Sequence, residues 1–138
     1  MQEGDKVLTA NGTALIRIVV RTLRSKALRK LPGDLLITNN HPVRINGVWH
    51  MPGALDLATD FVLEKPMFIY NFVLDRDHIL LINGYECVTL GHDLKDEFLQ
   101  HPIYGTERIT NSLMKLPIEN GMRINKGIDY GGKGDYKT

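Results

Sequence analysis

Apolar positions along the chain fall in short runs separated by turn residues. Val7-Leu8-Thr9 has the pattern of a short strand ending at Ala10-Asn11-Gly12, an Asn-Gly signal of the hairpin type. Residues 14–22 are rich in β-branched side chains and alternate in part, so they read as the returning strand. Leu31-Pro32-Gly33-Asp34 punctuates the chain, and Leu35-Leu36-Ile37-Thr38 is an apolar run of the kind buried on both faces. Asn39-Asn40-His41-Pro42 bends it again. Val43-Arg44-Ile45 and Val48-Trp49-His50 flank Asn46-Gly47, a second hairpin signal, and Met51-Pro52-Gly53 closes that unit. Residues 54–60 have room for one helical turn at most. Residues 68–74 form a strong strand pattern, and residues 78–82 and 85–89 flank Asn83-Gly84, a third turn of the same kind. Three such turns between short strands predict an all-β, meander-like body.

The pattern changes near Gly91. Residues 94–99 are charged and read as a short helix. Residues 106–116 place Ile109, Leu113 and Leu116 at helical spacing behind a Thr106 cap, and Pro117 stops the helix. Met122–Asn125 reads as a last strand. The glycine-rich end from residue 131 is expected to be a flexible tail. The expected organisation is a body over residues 1–92 and a small mixed appendage over residues 93–138.

Composition narrows the class. A chain of 138 residues, 43% hydrophobic and 24% charged, is long enough to bury a core without metal or disulfide support. No apolar run approaches the roughly 18 residues of a membrane span, and the polar, acidic start does not resemble a secretory signal. The single cysteine, Cys87, excludes an internal disulfide and a cysteine-rich zinc site. His41, His50, His78, His92 and His101 show no HxH or HExxH spacing, so no metal is expected.

Charge is unevenly placed. Arg17, Arg21, Arg24, Lys26, Arg29 and Lys30 follow one another with no acid among them, and Arg108, Lys115, Arg123, Lys126, Lys133 and Lys137 dominate the end of the chain. These blocks form solvated faces or meet an anionic partner such as a sulfated polysaccharide. The candidate anion-binding set is Arg24, Lys26, Arg29, Lys30, Arg108, Lys115, Arg123, Lys126 and Lys133. No aromatic residue lies within residues 17–30 to stack bases, so nucleic acid is not expected there.

The segment with the most chemistry is residues 35–43. Thr38 and His41, three apart where an apolar strand turns, can aim both side chains at one spot. A neutral imidazole there can protonate a departing amide nitrogen, and a threonine hydroxyl can orient the ring or polarise the amide. On spacing alone the pair is as compatible with a structural turn.

The order GDKVLT, LLITNNHPV and IYNFVLDRDHILLINGYECVTLGH resembles the Hint superfamily of hedgehog autoprocessing domains and inteins. The pairing of NNHPVRINGVWHMP with YNFVLDRDHILLINGYECVTLGH is most similar to the Vint branch, found with von Willebrand A modules. The likeness runs over residues 4–127 and includes HPIYGTERI and MRINKG in the appendage. It implies a compact all-β horseshoe that cleaves its own N-terminal junction, in a larger protein. An opening Cys or Ser attacks the preceding carbonyl, and Thr38 and His41 match the Thr-x-x-His motif that assists this acyl shift. His78 matches a later histidine that tunes proton transfer. The chain's own side chains do this chemistry, with no cofactor, on a partner segment in cis. The compartment stays open, with an extracellular or cell-surface position one reading.

Departures from the family pattern shape the expectation. The family's opening strand is missing: the chain starts at Met1, whose thioether cannot form a thioester, so the chain as written is expected to lack the acyl shift. The body ends Leu90-Gly91-His92 with no Asn to cyclise, which disfavours splicing and suits hedgehog-like cleavage. Asn71 stands where many inteins carry a catalytic Asp. Thr22 stands nearest the position where hedgehog domains activate a sterol with an acid, so hydrolysis or another acceptor fits equally well. The reading of a different class is a non-catalytic binding or regulatory module that uses its basic surfaces. By the same resemblance, the appendage occupies the place of an adduct-recognition region.

Overall fold

The computed structural model describes residues 2–24, 27–94, 99 and 104–125. Among them are twelve strands and one short helix. Strands β1 (Lys6–Thr9), β2 (Gly12–Arg24), β3 (Leu28–Leu31), β4 (Leu35–Ile37), β5 (Val43–Ile45) and β6 (Val48–His50) precede a 3-10 turn at Pro52–Ala54. Strands β7 (Thr59–Phe61), β8 (Met67–Leu74), β9 (Ile79–Ile82) and β10 (Tyr85–Val88) follow, then helix α1 (Glu107–Leu113) and strands β11 (Ile118–Glu119) and β12 (Met122–Asn125). The expected short helix at 94–99 and the tail from 131 lie outside the described residues, apart from Leu94 and Leu99.

Nine strands join in one sheet, ordered β11-β12-β2-β1-β9-β10-β5-β6, with β8 also paired to β2. A three-stranded sheet, β4-β3-β7, stands beside it. The long strand β2 organises both faces. A bulge at Arg17 shifts its register against β8 between Ile16 and Ile18. A bulge adds one residue to one strand and re-aims the side chains beyond it. Here Ala14, Ile16 and Val19 enter one core cluster with Phe72, Leu74 and Leu80, while Ile18 and Val20 enter another with Val73, Val88 and Leu90. That second cluster also takes Tyr104, Ile109 and Leu113 from beyond Gly91, so α1 packs into the core of the body.

The hairpins follow the Asn-Gly signals with one adjustment. Asn46-Gly47 and Asn83-Gly84 have positive φ at both residues, as a type I′ turn needs. In the first hairpin Gly12 pairs with Thr9, so Ala10 and Asn11 make the turn and the glycine opens the strand. A third turn of this type, Asn120-Gly121, joins β11 to β12. The structure also contains β3 and β7, which pair with each other where the basic block and the 54–60 region showed no strand pattern. The Thr106 cap is present: its hydroxyl accepts the Arg108 backbone N–H at 3.3 Å.

Candidate functional site

Thr38 follows directly on β4 and is buried. The chain then folds back so that the His41 N–H reaches the Thr38 carbonyl at 3.5 Å. This bend is held from two sides. On one, the Gly53 N–H donates to the Asn39 carbonyl at 2.8 Å, and the turns pack so closely that a Cβ on Gly53 would lie 3.2 Å from the Asn39 Cβ. On the other, the Val88 N–H donates to the Pro42 carbonyl at 3.4 Å. The His41 ring repeats that tie, with Nε2 2.7 Å from the Val88 carbonyl oxygen. A carbonyl only accepts, so Nε2 carries the hydrogen and Nδ1 of the neutral ring is its acceptor nitrogen.

Thr38 and His41 both line a cavity of about 540 Å³. Its lining is largely apolar, with Leu80, Ile82, Cys87 and Val88 from β9 and β10 and Met122 from β12. Asn71 and Thr89 add polar groups. Two runs of consecutive residues, 35–38 and 67–72, complete the walls. Successive strand residues point to opposite faces, so a wall of consecutive residues is a strand seen edge-on. Among the described residues β4 pairs only with β3, and β8 only with β2. The cavity therefore lies between the outer edges of these two strands, with Thr38 and His41 at the end of one and the β8 edge tied at Phe72, whose carbonyl accepts the Leu90 N–H at 2.9 Å.

His78 stands outside this lining. It opens β9 in a left-handed conformation, φ 34°, directly after Asp77 at φ 62°. Two successive non-glycine residues with positive φ store backbone strain. The His78 carbonyl accepts from the Thr89 N–H at 2.9 Å and from the Thr89 hydroxyl at 3.1 Å, so His78 sits behind a cavity residue. Among the described residues its buried Nδ1 has no hydrogen-bond partner. Burial lowers its pKa, against the opposing pull of Asp77, Asp75 and Asp93.

The sequence assigned no role to His92. It is buried, its Nδ1 accepts the Leu94 N–H at 2.8 Å, and its Nε2 lies 3.2 Å from the Leu99 carbonyl. Burial pushes its pKa down to about 4, and the charges of His78 and His41 push the same way. Both of those imidazoles thus lie within electrostatic reach of His92. The signal available was the position of His92 at the end of the buried run 87–90, where a polar ring must find internal partners. Cys87 is also buried, and desolvation raises its thiol to about 12, which keeps it protonated at neutral pH.

Of the candidate anion-binding residues, Arg24, Arg29, Lys30 and Arg123 have partners within the chain. Arg24 is buried, with Nη2 3.4 Å from the Ala27 carbonyl. Arg29 donates to the carbonyls of Pro52, Leu55 and Ala58 and to Asp60. Arg123 bonds Glu3 and two carbonyls after α1. Lys30 pairs with Asp34, and Arg108 and Lys115 are exposed. Lys26, Lys126 and Lys133 lie outside the described residues. Among the described residues no group of three or more His, Cys, Asp or Glu side chains is arranged to hold a metal ion, and no helix is long and apolar enough to cross a membrane.

A mostly-β body with a Thr-x-x-His bend against a strand-edge cavity has the features of a Hint domain. The Hint-domain family model named Vint matches residues 1–130, and the chain belongs to that family, a domain of autoprocessing type. No individually curated protein matches the sequence.

Proposed function

We propose that this domain cleaves the peptide bond at its own N-terminal junction by an acyl shift, in the hedgehog manner and without splicing. The observation that carries the reading is the fixed His41 ring, held by the Val88 carbonyl and lining one cavity with Thr38. The slot between the edges of β4 and β8 suits an extended segment that leads into Gln2 and carries a Cys or Ser nucleophile.

In this reading the thiol or hydroxyl attacks the preceding carbonyl. The C–N bond breaks and a C–S or C–O bond forms. His41 Nδ1 accepts the nucleophile's proton and returns it to the departing amide nitrogen, while the Thr38 hydroxyl orients that amide. His78, behind Thr89, tunes the proton transfer. Water or an added thiol then releases the upstream partner. Cys87, protonated and buried, is not the nucleophile.

The test is intact-mass spectrometry of a precursor that includes natural upstream residues and a tag. Thiol-stimulated cleavage lost in His41→Ala supports the reading. A precursor that stays whole with and without thiol overturns it.

A further inference from the structure

The N-terminal segment is tied to the C-terminal hairpin. The Glu3 N–H donates to the Gly121 carbonyl at 3.3 Å. Gly121 has φ +76°, and a Cβ placed on it would lie 3.0 Å from the Gln2 Cβ, so the turn fits against Gln2 only as glycine. Two residues on, Arg123 Nε meets Glu3 Oε1 at 3.3 Å. The same guanidinium donates through Nη1 to the carbonyls of Met114 at 3.3 Å and Leu116 at 3.2 Å, just beyond α1. Both side chains of the pair are mostly shielded, 16% exposed for Arg123 and 24% for Glu3, which sets it apart from a solvated surface pair. Between Gly121 and Arg123, Met122 lines the cavity that holds Thr38 and His41.

The residues that fix the path of the chain at Gln2 and Glu3 therefore flank the reaction cavity. We propose that Arg123 and Glu3 form a latch through which the C-terminal hairpin aims the polypeptide arriving at Gln2 into the Thr38–His41 cavity. Arg123 is then a positioning residue: it acts through Glu3 on where the junction lies and touches no reacting atom. The inference rests on the function proposed above and adds to it a task for β11 and β12. Reactions of oriented groups lose rate steeply when the approach is misdirected by about 1 Å, so a latch at this point controls the acyl shift without taking part in it.

Arg123 also closes the end of α1, and loss of its whole side chain would disturb packing. Glu3→Gln separates the two tasks, because it removes the carboxylate charge and leaves both carbonyl bonds of Arg123 in place. The precursor with natural upstream residues is compared as wild type, Glu3→Gln, Arg123→Ala and Arg123→Lys. Each is followed by the rate of hydroxylamine-trapped cleavage in intact mass and by thermal melting. The expected result is cleavage about tenfold slower in Glu3→Gln and Arg123→Ala at temperatures where both remain folded, with Arg123→Lys recovering part of the rate. Glu3→Gln cleaving at the wild-type rate overturns the latch while the proposed function stands. A wild-type precursor that never cleaves overturns the function and the latch with it.

Discussion

The His41 ring and the Val88 carbonyl meet at 2.7 Å, and this contact decides which imidazole nitrogen carries the hydrogen. It also ties the Thr-x-x-His bend to the last residue of β10, where the neighbouring Cys87 pairs with Val43 of β5. A substitution at His41 therefore removes both a proton carrier and a strut. His41→Ala in a precursor is expected to slow cleavage by about 10²-fold or more. His41→Gln, which keeps a donor for the Val88 carbonyl, is expected to melt closer to wild type than His41→Ala and to remain as slow. Intact mass and thermal melting, measured side by side, check both parts.

Thr38 separates by chemistry in the same way. Thr38→Ser keeps the hydroxyl, and Thr38→Val keeps the shape. Cleavage rates are expected to order wild type, Ser, Val, with Val at least about tenfold down. Equal rates for Val and wild type would remove the hydroxyl from the mechanism.

Burial of neutral His92 makes the fold acid-sensitive. Its folded pKa of about 4 lies below the ordinary histidine value, so the unfolded chain binds the extra proton first as pH falls. Stability is complete above about pH 6.5 and is lost on the way down towards about pH 4, with a slope of up to about 1.4 kcal/mol per pH unit from this group. His78, shifted the same way, adds to the loss. Protonation at Nδ1 would also cancel the acceptor that holds the Leu94 N–H. Urea midpoints taken across pH 4–7 should fall towards acid, and a His92→Gln variant should show a shallower fall.

Arg29 is expected to matter for folding through its internal partners. Its guanidinium reaches three carbonyls at 3.0–3.1 Å and Asp60 at 2.6 Å, with the side chain 16% exposed. No ammonium can reproduce that planar set of bonds. Arg29→Lys should cost about 1–3 kcal/mol in chemical denaturation by taking a charged donor away from each of these carbonyls. The Pro52–Ala54 turn that Arg29 holds supports Asn39, so cleavage by the precursor should slow as well.

Cys87 should be a poor nucleophile in the folded domain. A thiol with its pKa near 12 and 3% exposure reacts slowly with aromatic disulfides at neutral pH, and denaturant should release the reaction. Cys87→Ala is expected to leave thiol-stimulated cleavage of the precursor in place. Loss of cleavage in a folded Cys87→Ala variant would give the thiol a direct part.

The elements legible in the sequence are those set by neighbours along the chain. The hairpins at Asn46-Gly47 and Asn83-Gly84, the capped helix after Thr106, and the Thr38–His41 bend all depend on local spacing. What stayed hidden depends on distant partners. Residues 28–31 looked like part of a solvated basic block, yet Arg29 turns inward to carbonyls of the 52–58 loop. Thr59-Asp60-Phe61 has no strand signature of its own and is extended because β3 lies beside it. The edge-on walls of the cavity bring together segments about thirty residues apart, which no local pattern reports.

The parallel pairing of β12 with β2 also sets an order of events during synthesis. Val20 faces Arg123, so that ladder joins residues separated by most of the chain. A ribosome releases Val20 long before it has made Arg123. Until then the edge of β2 at residues 20–22 has no β12 to pair with, and Glu3 has no guanidinium to meet. The N-terminal segment reaches its final bearing only when β12 arrives, so an upstream partner would have its whole synthesis, and time to fold, behind it before the junction is set.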